Sequence, residues 1–394
     1  MTALGGIRVV DFSIWMFGPA ATQVLGDFGA DVVKVEPPGG EPGRGKGMGH
    51  PLHHGMSTRY ISRNRNKRSV CVDLTTAEGG RIARALMAGA DVVVQNFRPG
   101  VAERLGIDYR SARECRPDVI YAAGSGYGQT GPYAHRGGQD RAAQAMSGFM
   151  SANGDPGQPP TGARVSVMDY LGGMILAQGV LVALVARLRT GRGQRVDLSL
   201  LDAAVSGNTE GMTTYLNTGE ALVQRFDPLM RAYQTADGAL QIVTVFAKTK
   251  NPMKELAEAV GRPELAEDPR FTSDEARATH EAELADLLQA ALAARSTADW
   301  LAIFDAHGII SAPVYDYAQV AADPQVRHNE LIVTGEHPEI GEVAMVGQPL
   351  RLSGTPSEVT RMPPLPGEHT DEVLTDLGIH RPDLARWRDQ GVIA

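Results

Sequence analysis

An α/β fold built on a parallel sheet with helices on both faces is predicted by two features of the first half of the chain. Short β-branched runs alternate with helix-length stretches, and Pro or Gly stands at the joints between them. A third feature, a change of texture near residue 220, predicts a smaller α+β domain after it. At 394 residues the chain exceeds the size at which one core usually keeps growing, so two structural domains are expected.

The elements follow in order. Ile7 to Phe12 reads as a strand, Ala20 to Phe28 as a helix and Asp31 to Glu36 as a second strand, which together make a βαβ unit. Ser69 to Val72 is a strand, Ala77 to Ala90 a helix, and Asp91 to Gln95 and Val119 to Tyr121 are further strands. The uncharged run from Leu171 to Ala186 is shorter than the roughly 20 residues that span a bilayer and is broken by glycines, so it reads as a buried helix. Gln194 to Leu198 closes the first half as a strand. Beyond residue 220, Ala236-Asp237-Gly238 is a turn into a strand at Leu240 to Val243, and helices follow near Pro252 to Val260 and His280 to Ala294. After Pro313 the chain is rich in Pro and Gly, with a short strand at Glu342 to Val346 and a helix after His369-Thr370-Asp371.

Composition excludes several classes. A net charge of -8 gives no global attraction to nucleic acid or to an anionic membrane, so any anion site must be local. Cys71 and Cys115 are too few for a disulfide framework and lack metal-ligand spacing, which fits a reducing cytoplasm. The N-terminus enters a strand directly and does not read as a signal peptide. His50, His53 and His54 lie in a Gly- and Pro-rich stretch without a third ligand at regular spacing; a solvated loop is expected, and no metal.

Asp169 ends the apolar stretch Val165 to Met168 and opens the uncharged run, beside Gly172 and Gly173. Two readings stand side by side. Asp is a preferred N-cap, so the side chain can satisfy the first amides of a helix. A carboxylate at the mouth of a buried helix, beside glycines that let a ligand approach the backbone, is also a candidate nucleophile, although on this segment alone the cap is the commoner role.

Many ordered pieces of the sequence settle the weighting. They include Asp11-Phe12 with Gly18-Pro19, Gly26-Asp27-Phe28-Gly29-Ala30-Asp31, Val35-Glu36-Pro37-Pro38-Gly39-Gly40, Asn64-Arg65-Asn66-Lys67-Arg68-Ser69 and Asn96-Phe97-Arg98-Pro99-Gly100. Arg104-Leu105-Gly106, Tyr127 to Pro132, Ala143 to Gly148, Asp169, Thr190 to Gln194, Asp202, Thr235 to Gly238 and Gly367 to Leu374 continue the series. Taken together, over nearly the entire chain, they resemble the family III CoA-transferases, the CaiB/BaiF family. The resemblance implies a Rossmann-like large domain from residues 1–215 and 326–394, a small α+β domain from 216–325, and two chains threaded as interlocked rings in a homodimer.

It also implies chemistry. The family's aspartate, here Asp169, takes the acyl group of an acyl-CoA, and an acid acceptor then reverses the sequence. Backbone amides at Gly172 and Gly173 are candidates for an oxyanion hole, the other reading being close helix packing that only glycine permits. Asp140 matches an acidic position lining the family's active site, or caps the helix from Arg141 to Ser147. CoA carries phosphates, and Arg65, Lys67 and Arg68 form one basic cluster, Arg98, Arg104 and Arg136 another; surface charge is the alternative for each. By resemblance Asn96, Phe97 and Arg104 hold the nucleotide, Phe97 lying against adenine, with Arg136, Lys67, Arg68 and Val72 as further contacts. Coenzyme A enters as acyl-CoA substrate beside a small carboxylic acid; no NAD is expected.

Departures narrow the substrate. Where formyl-CoA:oxalate transferases place a glutamine, this chain has Met16, and Val223-Gln224-Arg225-Phe226-Asp227-Pro228 lacks their glycine run, so oxalate is not expected. Trp15, Met16 and Phe17 are candidates to line an apolar acyl pocket, with plain core as the alternative. The racemase branch has Gly-His-Asp where this chain has Gly138-Gln139-Asp140, and glutamine does not titrate. An isomerase or dehydratase of the same fold remains a rival, as does a CoA-binding protein without catalysis. A dinucleotide oxidoreductase, suggested by Glu36 at the end of the second strand, lacks the phosphate loop: the first joint reads Ile14 to Pro19 without Gly-x-Gly-x-x-Gly.

Overall fold

A computed structural model describes residues 2–45, 50–154, 158–221, 227–244 and 251–394. The departure noted at Val223 to Phe226 lies outside the described residues. The chain divides into two units, one of residues 1–154, 158–221 and 330–394 and one of residues 155–157 and 222–329.

The first unit begins β1 (Arg8–Asp11), α1 (Phe17–Asp27), β2 (Asp31–Glu36), a small hairpin β3 (Leu52–His53) and β4 (Met56–Ser57), α2 (Thr58–Ile61), β5 (Lys67–Cys71), α3 (Ala77–Ala88) and β6 (Val92–Gln95). It continues through α4 (Val101–Arg104), α5 (Tyr109–Cys115), β7 (Ile120–Ser125), α6 (Asp140–Met146), α7 (Phe149–Ala152), α8 (Val167–Thr190), β8 (Arg195–Ser199), α9 (Leu200–Gly207) and α10 (Thr209–Thr218). Six strands pair in the order β5-β2-β1-β6-β7-β8, and every pairing is parallel. The mixed α/β class and the parallel sheet are therefore as the alternation of runs predicts.

Strands covered on both faces read as near-continuous apolar runs, as Val92-Val93-Val94 does. Their side chains alternate between two cores. Val10, Val33, Val70 and Val93 face Ile82 and Leu86 of α3, while Val9, Val32, Val92 and Val94 face Phe17 and Ala21 of α1 and Leu176 and Val180 of α8. In sheet order β1 is flanked by β2 and β6, so the chain leaves β1 in one direction and β6 in the other. The crevice beyond the carboxyl ends of such a pair is where open α/β sheets bind ligands.

One expectation is corrected here. α8 is a 24-residue helix rather than the buried stretch from Leu171 to Ala186, and only 39% of its apolar window is buried. Its charged ends are accommodated rather than excluded: Arg187 pairs with Asp91 at 2.9 Å, and the helix stops at Gly191, whose φ of 69° suits glycine. Val182, Val185 and Leu188 lie exposed along one side. By length and composition α8 is the one helix among the described residues that could cross a bilayer.

The second unit holds β9 (Ala232–Gln234), β10 (Ala239–Val243), α11 (Pro252–Ala259), α12 (Asp274–Thr279), α13 (Glu281–Leu292), α14 (Thr297–Ala306), β11 (Ile310–Pro313), α15 (Tyr317–Ala322) and α16 (Pro324–His328). Its strands form an antiparallel sheet in the order β11-β10-β9, and Leu240 and Ile242 pack with Leu256, Leu288 and Phe304. The chain then returns to the first unit with the hairpin β12 (Ile332–His337) and β13 (Gly341–Val346), followed by α17 (Thr370–Asp376) and α18 (Arg381–Asp389). Val373 and Trp387 of the last two helices complete the core beneath Val10 and Val70.

Candidate active site

Asp169 lies in the first turn of α8, two residues after its first residue, Val167; the N-cap is Ser166, which makes no side-chain cap. Three of the amides that a helix start normally leaves open, those of Val167, Met168 and Asp169, are satisfied without the Asp169 side chain. Val167 N–H donates to the Val165 carbonyl at 2.8 Å and Tyr170 N–H to that of Ser166 at 3.2 Å. Met168 and Asp169 N–H both donate to Oδ2 of Asp140, at 2.7 and 3.0 Å. The cap is thus Asp140, reaching across from the start of α6 to the helix that carries Asp169. This corrects the expectation that Asp140 caps its own helix, where Gln139 is the N-cap residue.

The Asp169 carboxylate is left without a hydrogen bond or ion pair among the described residues. Burial, reinforced by the neighbouring Asp140 charge, raises its pKa to about 6, against the opposing pull of Arg63 and Arg59. A half-buried, unpartnered carboxylate that is mostly ionised at neutral pH has the character of a nucleophile rather than of a structural cap.

Gly172 and Gly173 are corrected. Both lie inside α8, where their amides belong to the helix ladder, so neither forms an oxyanion hole. A Cβ on Gly172 would meet the Phe17 ring at 2.9 Å, and one on Gly173 would meet Ala20 Cβ at 2.8 Å and the Phe17 carbonyl at 2.9 Å. Their absent side chains let α1 lie against α8. That contact carries the segment before α1 toward Asp169.

This segment, Ser13 to Met16, is held from all sides. Lys34 Nζ donates to the Ser13 carbonyl at 2.9 Å, and Lys67 Nζ to that of Pro19 at 2.9 Å. Asn96, at the end of β6, accepts the Ile14 N–H and donates to the Ile14 carbonyl, both at 2.8 Å, which staples the two loops of the crevice together. Trp15 N–H donates to Glu41 Oε2 at 2.8 Å, and its carbonyl accepts from Arg63 Nη1 at 3.0 Å. Trp15 has a φ of 68°, a left-handed backbone that costs a bulky residue roughly 1–2 kcal/mol and persists where its surroundings over-determine it.

Several expected ligand contacts are therefore internal. Lys67 is wholly buried, paired with Asp11 at 3.0 Å and bonded to Asn64 Oδ1 at 2.9 Å; burial lowers its pKa to about 8 although Asp11 pulls upward. Arg65 pairs with Asp27 at 2.7 Å, and Arg68 with Asp31 at 2.7 Å and Glu372 at 2.9 Å. Arg65 and Lys67 thus belong to interior ion pairs and Arg68 to a group of surface ones, so the first basic cluster is spent on the chain's own carboxylates. Val72 is a buried core residue and Phe17 packs in the core against Gly172, so these two are corrected too, while the half-buried Asn96 bonds Ile14 through its side-chain amide. Glu36 is occupied by Arg44, at 2.6 Å, and by Ser69 Oγ, at 2.7 Å.

The second cluster stays open. Arg98, Arg104 and Arg136 are exposed, and their guanidinium groups make no ion pair among the described residues. Arg98 lies against Gly137, next to Arg136, and Arg136 stacks over the Tyr133 ring at 4.3 Å. Phe97 is half-buried beside them, with its N–H donating to Gln95 Oε1 at 2.7 Å. Trp15 is 40% exposed and Met16 half-exposed, so both remain available to a substrate.

Sequence reasoning overlooked Arg59 and Arg63. They stand one helical turn apart at α2, 8% and 6% exposed, and the Arg59 guanidinium lies 5.4 Å from the centre of the Trp15 ring. Neither makes an ion pair among the described residues, and both act on Asp169 electrostatically. The signal was present: from Pro42 to Val72 the sequence contains no acidic residue, so its many basic groups must find partners elsewhere or serve an anion. Among the described residues, no group of three or more His, Cys, Asp or Glu is placed to hold a metal.

Comparison with known proteins adds three findings. A family model described as CoA-transferase family III matches residues 4–370. The succinyl-CoA–D-citramalate CoA-transferase of Chloroflexus aurantiacus is 36% identical over 398 residues, covering 99% of this chain and 98% of its own, and the succinyl-CoA:glutarate CoA-transferase of Mus musculus is 34% identical over 384 residues, covering 96% and 87%. The crystal structure of a CAIB/BAIF family protein from Brucella suis superposes with a TM-score of 0.87 at 31% identity, covering 95% of this chain and 99% of that one.

Proposed function

The chain belongs to CoA-transferase family III and is a CoA-transferase, and from that premise we propose that it moves CoA between an acyl-CoA and a carboxylic acid through covalent intermediates on Asp169. The observation that carries this reading is the Asp169 carboxylate itself, without a hydrogen-bond partner among the described residues, mostly ionised at neutral pH and held by Asp140 on the amides beneath it.

The steps balance without a redox change or a net proton transfer. A carboxylate oxygen of Asp169 attacks the thioester carbonyl carbon, the C–S bond breaks, and a mixed anhydride and CoA thiolate result. The thiolate attacks the Asp169 carbonyl of the anhydride, releases the acyl group as its carboxylate and leaves an aspartyl-CoA thioester. The acceptor acid then repeats both steps in reverse order, forming a new acyl-CoA and freeing Asp169. Each step exchanges one acyl bond for another of similar reactivity, which is how covalent catalysis divides a hard reaction. Asp140 positions the nucleophile and keeps its basicity high.

Arg98, Arg104 and Arg136, with Phe97, are the proposed seat of the phosphorylated nucleotide, at the carboxyl end of β6 where such sheets bind ligands. Trp15 and Met16 are proposed to line the acyl site and to disfavour oxalate. A second copy of the chain is proposed to cover the exposed side of α8, in a homodimer, with Val182, Val185 and Leu188 in the contact. Both cysteines are unpaired, in keeping with a cytoplasmic enzyme.

The test is incubation with succinyl-CoA and a panel of mono- and dicarboxylic acids, with the CoA esters identified by mass spectrometry. New acyl-CoA with free succinate is expected. Consumption of acyl-CoA to an isomer or to free CoA, without exchange in any acid, would overturn the reading.

A further inference from the structure

We propose that Arg59 and Arg63 form the receptor for the second carboxylate of a dicarboxylic substrate, so that the acids handled here carry a free carboxylate at the end remote from the reacting one. The inference rests on the transferase reading of Asp169 and specifies which acids its site accepts.

Burying a guanidinium without a counter-ion is costly, and chains that do so usually pair it internally, as Arg65 is paired with Asp27 and Arg44 with Glu36 here. Arg59 and Arg63 break that pattern side by side. Among the described residues their guanidinium donors make two contacts, both from Arg63: Nη1 on the Trp15 carbonyl at 3.0 Å and Nε on Ser62 Oγ at 3.3 Å. The Arg59 guanidinium lies 5.4 Å from the centre of the Trp15 ring, and its N–H groups make no hydrogen bond among the described residues. The nearby acid Glu41 is occupied by the Trp15 N–H and stands 3.6 Å from Lys34, whose charge it balances. Around the crevice two guanidinium charges therefore stand against two carboxylates, Asp169 and the neighbouring Asp140, the second of them bonded to the α8 amides; Glu41 also draws on Arg63, and the exposed His50 lies near both arginines.

The planar fork of arginine suits a carboxylate bound through two N–H groups. A surplus arises during the reaction. Once Asp169 is acylated its charge is gone, and two guanidinium groups then face the site against Asp140 alone when the acceptor arrives as a dianion. A stabilising oxyanion role is the competing use of the same two residues, and it would serve every acyl group equally.

The experiment compares acids that differ only in the remote group: succinate with butyrate, and glutarate with pentanoate. Acceptor kcat/KM is measured for each on the wild type, Arg59→Met and Arg63→Met, and the ratio within a pair is independent of the active fraction of any preparation. The expected result is a wild-type preference for the dicarboxylate that falls by roughly 10- to 100-fold in each variant, the range for a lost bond to a charged group. Lack of preference in the wild type, an unchanged ratio in both variants, or a parallel fall for both acids would overturn the proposal. Thermal stabilisation by glutarate but not pentanoate, lost in Arg59→Met, reads the receptor without turnover. Should no acid be exchanged, that binding result would sustain the receptor while the transferase reading falls, and its absence would sink both.

Discussion

Replacing Asp169 with Asn should make the protein more stable at neutral pH, by an amount that depends on pH in a defined way. In the folded state burial and Asp140 raise the Asp169 pKa to about 6, against an ordinary value of 3.8. A group whose folded pKa is raised favours folding fully below its unfolded pKa, and that contribution is lost as pH rises through the folded value. The displacement corresponds to ~3 kcal/mol at 1.36 kcal/mol per pH unit, an upper value because the side chain keeps some contact with water. The asparagine variant escapes this cost. Its advantage should be near zero below pH 3.8, about half developed at pH 5, and level above about pH 7. Urea or thermal unfolding of both proteins from pH 4 to pH 8 reads the gap, expected to reach several degrees in Tm at roughly 2 °C per kcal/mol. A gap of the same size at every pH would mean that Asn helps by packing or helix propensity, and no gap at pH 7 would refute the burial of the charge.

Three further outcomes follow from the site. Gly173→Ala should lower stability by about 1–3 kcal/mol, because its Cβ meets Ala20 and the Phe17 carbonyl; Gly80→Ala in α3, with open space around its Cβ, should raise stability by up to ~1 kcal/mol in the same denaturation assay. Lys67→Met should cost about 3–5 kcal/mol by leaving Asp11 buried without its partner, and adding Asp11→Asn should recover much of the loss in equilibrium unfolding. Arg104→Ala should weaken CoA binding in calorimetry, less so at high salt, with little change in the maximal rate; a large fall in rate at unchanged affinity would place this residue elsewhere.

The sheet was legible because β1, β2 and β6 are short valine-rich runs, and burial on both faces writes itself into the residues, as in Val92-Val93-Val94. Asp169 was legible as a candidate through the abrupt start of an uncharged run. Its neighbours were not, for a physical reason: glycine permits a ligand's approach and a helix's approach equally, and only the position of Phe17 and Ala20 tells that Gly172 and Gly173 serve the second. Lys67, Arg65 and Arg68 looked like a phosphate cluster because their partners Asp11, Asp27 and Asp31 lie dozens of residues away and meet them only once the sheet forms. Arg59 and Arg63 escaped notice in the same dense basic segment. Which of its cations are paired is decided by tertiary contacts that no local pattern encodes.

The most direct measurement of the central claim is the covalent state of Asp169. Purified enzyme is mixed with succinyl-CoA without acceptor, quenched with hydroxylamine or taken directly to proteolysis, and the peptide spanning Asp169 is weighed. The account predicts CoA, or the derived hydroxamate, on Asp169 alone, and loss of transfer in a folded Asp169→Ala. Full exchange without any adduct, or an Asp169→Ala variant that keeps more than about a tenth of wild-type activity, a barrier change below ~1.4 kcal/mol, would contradict it.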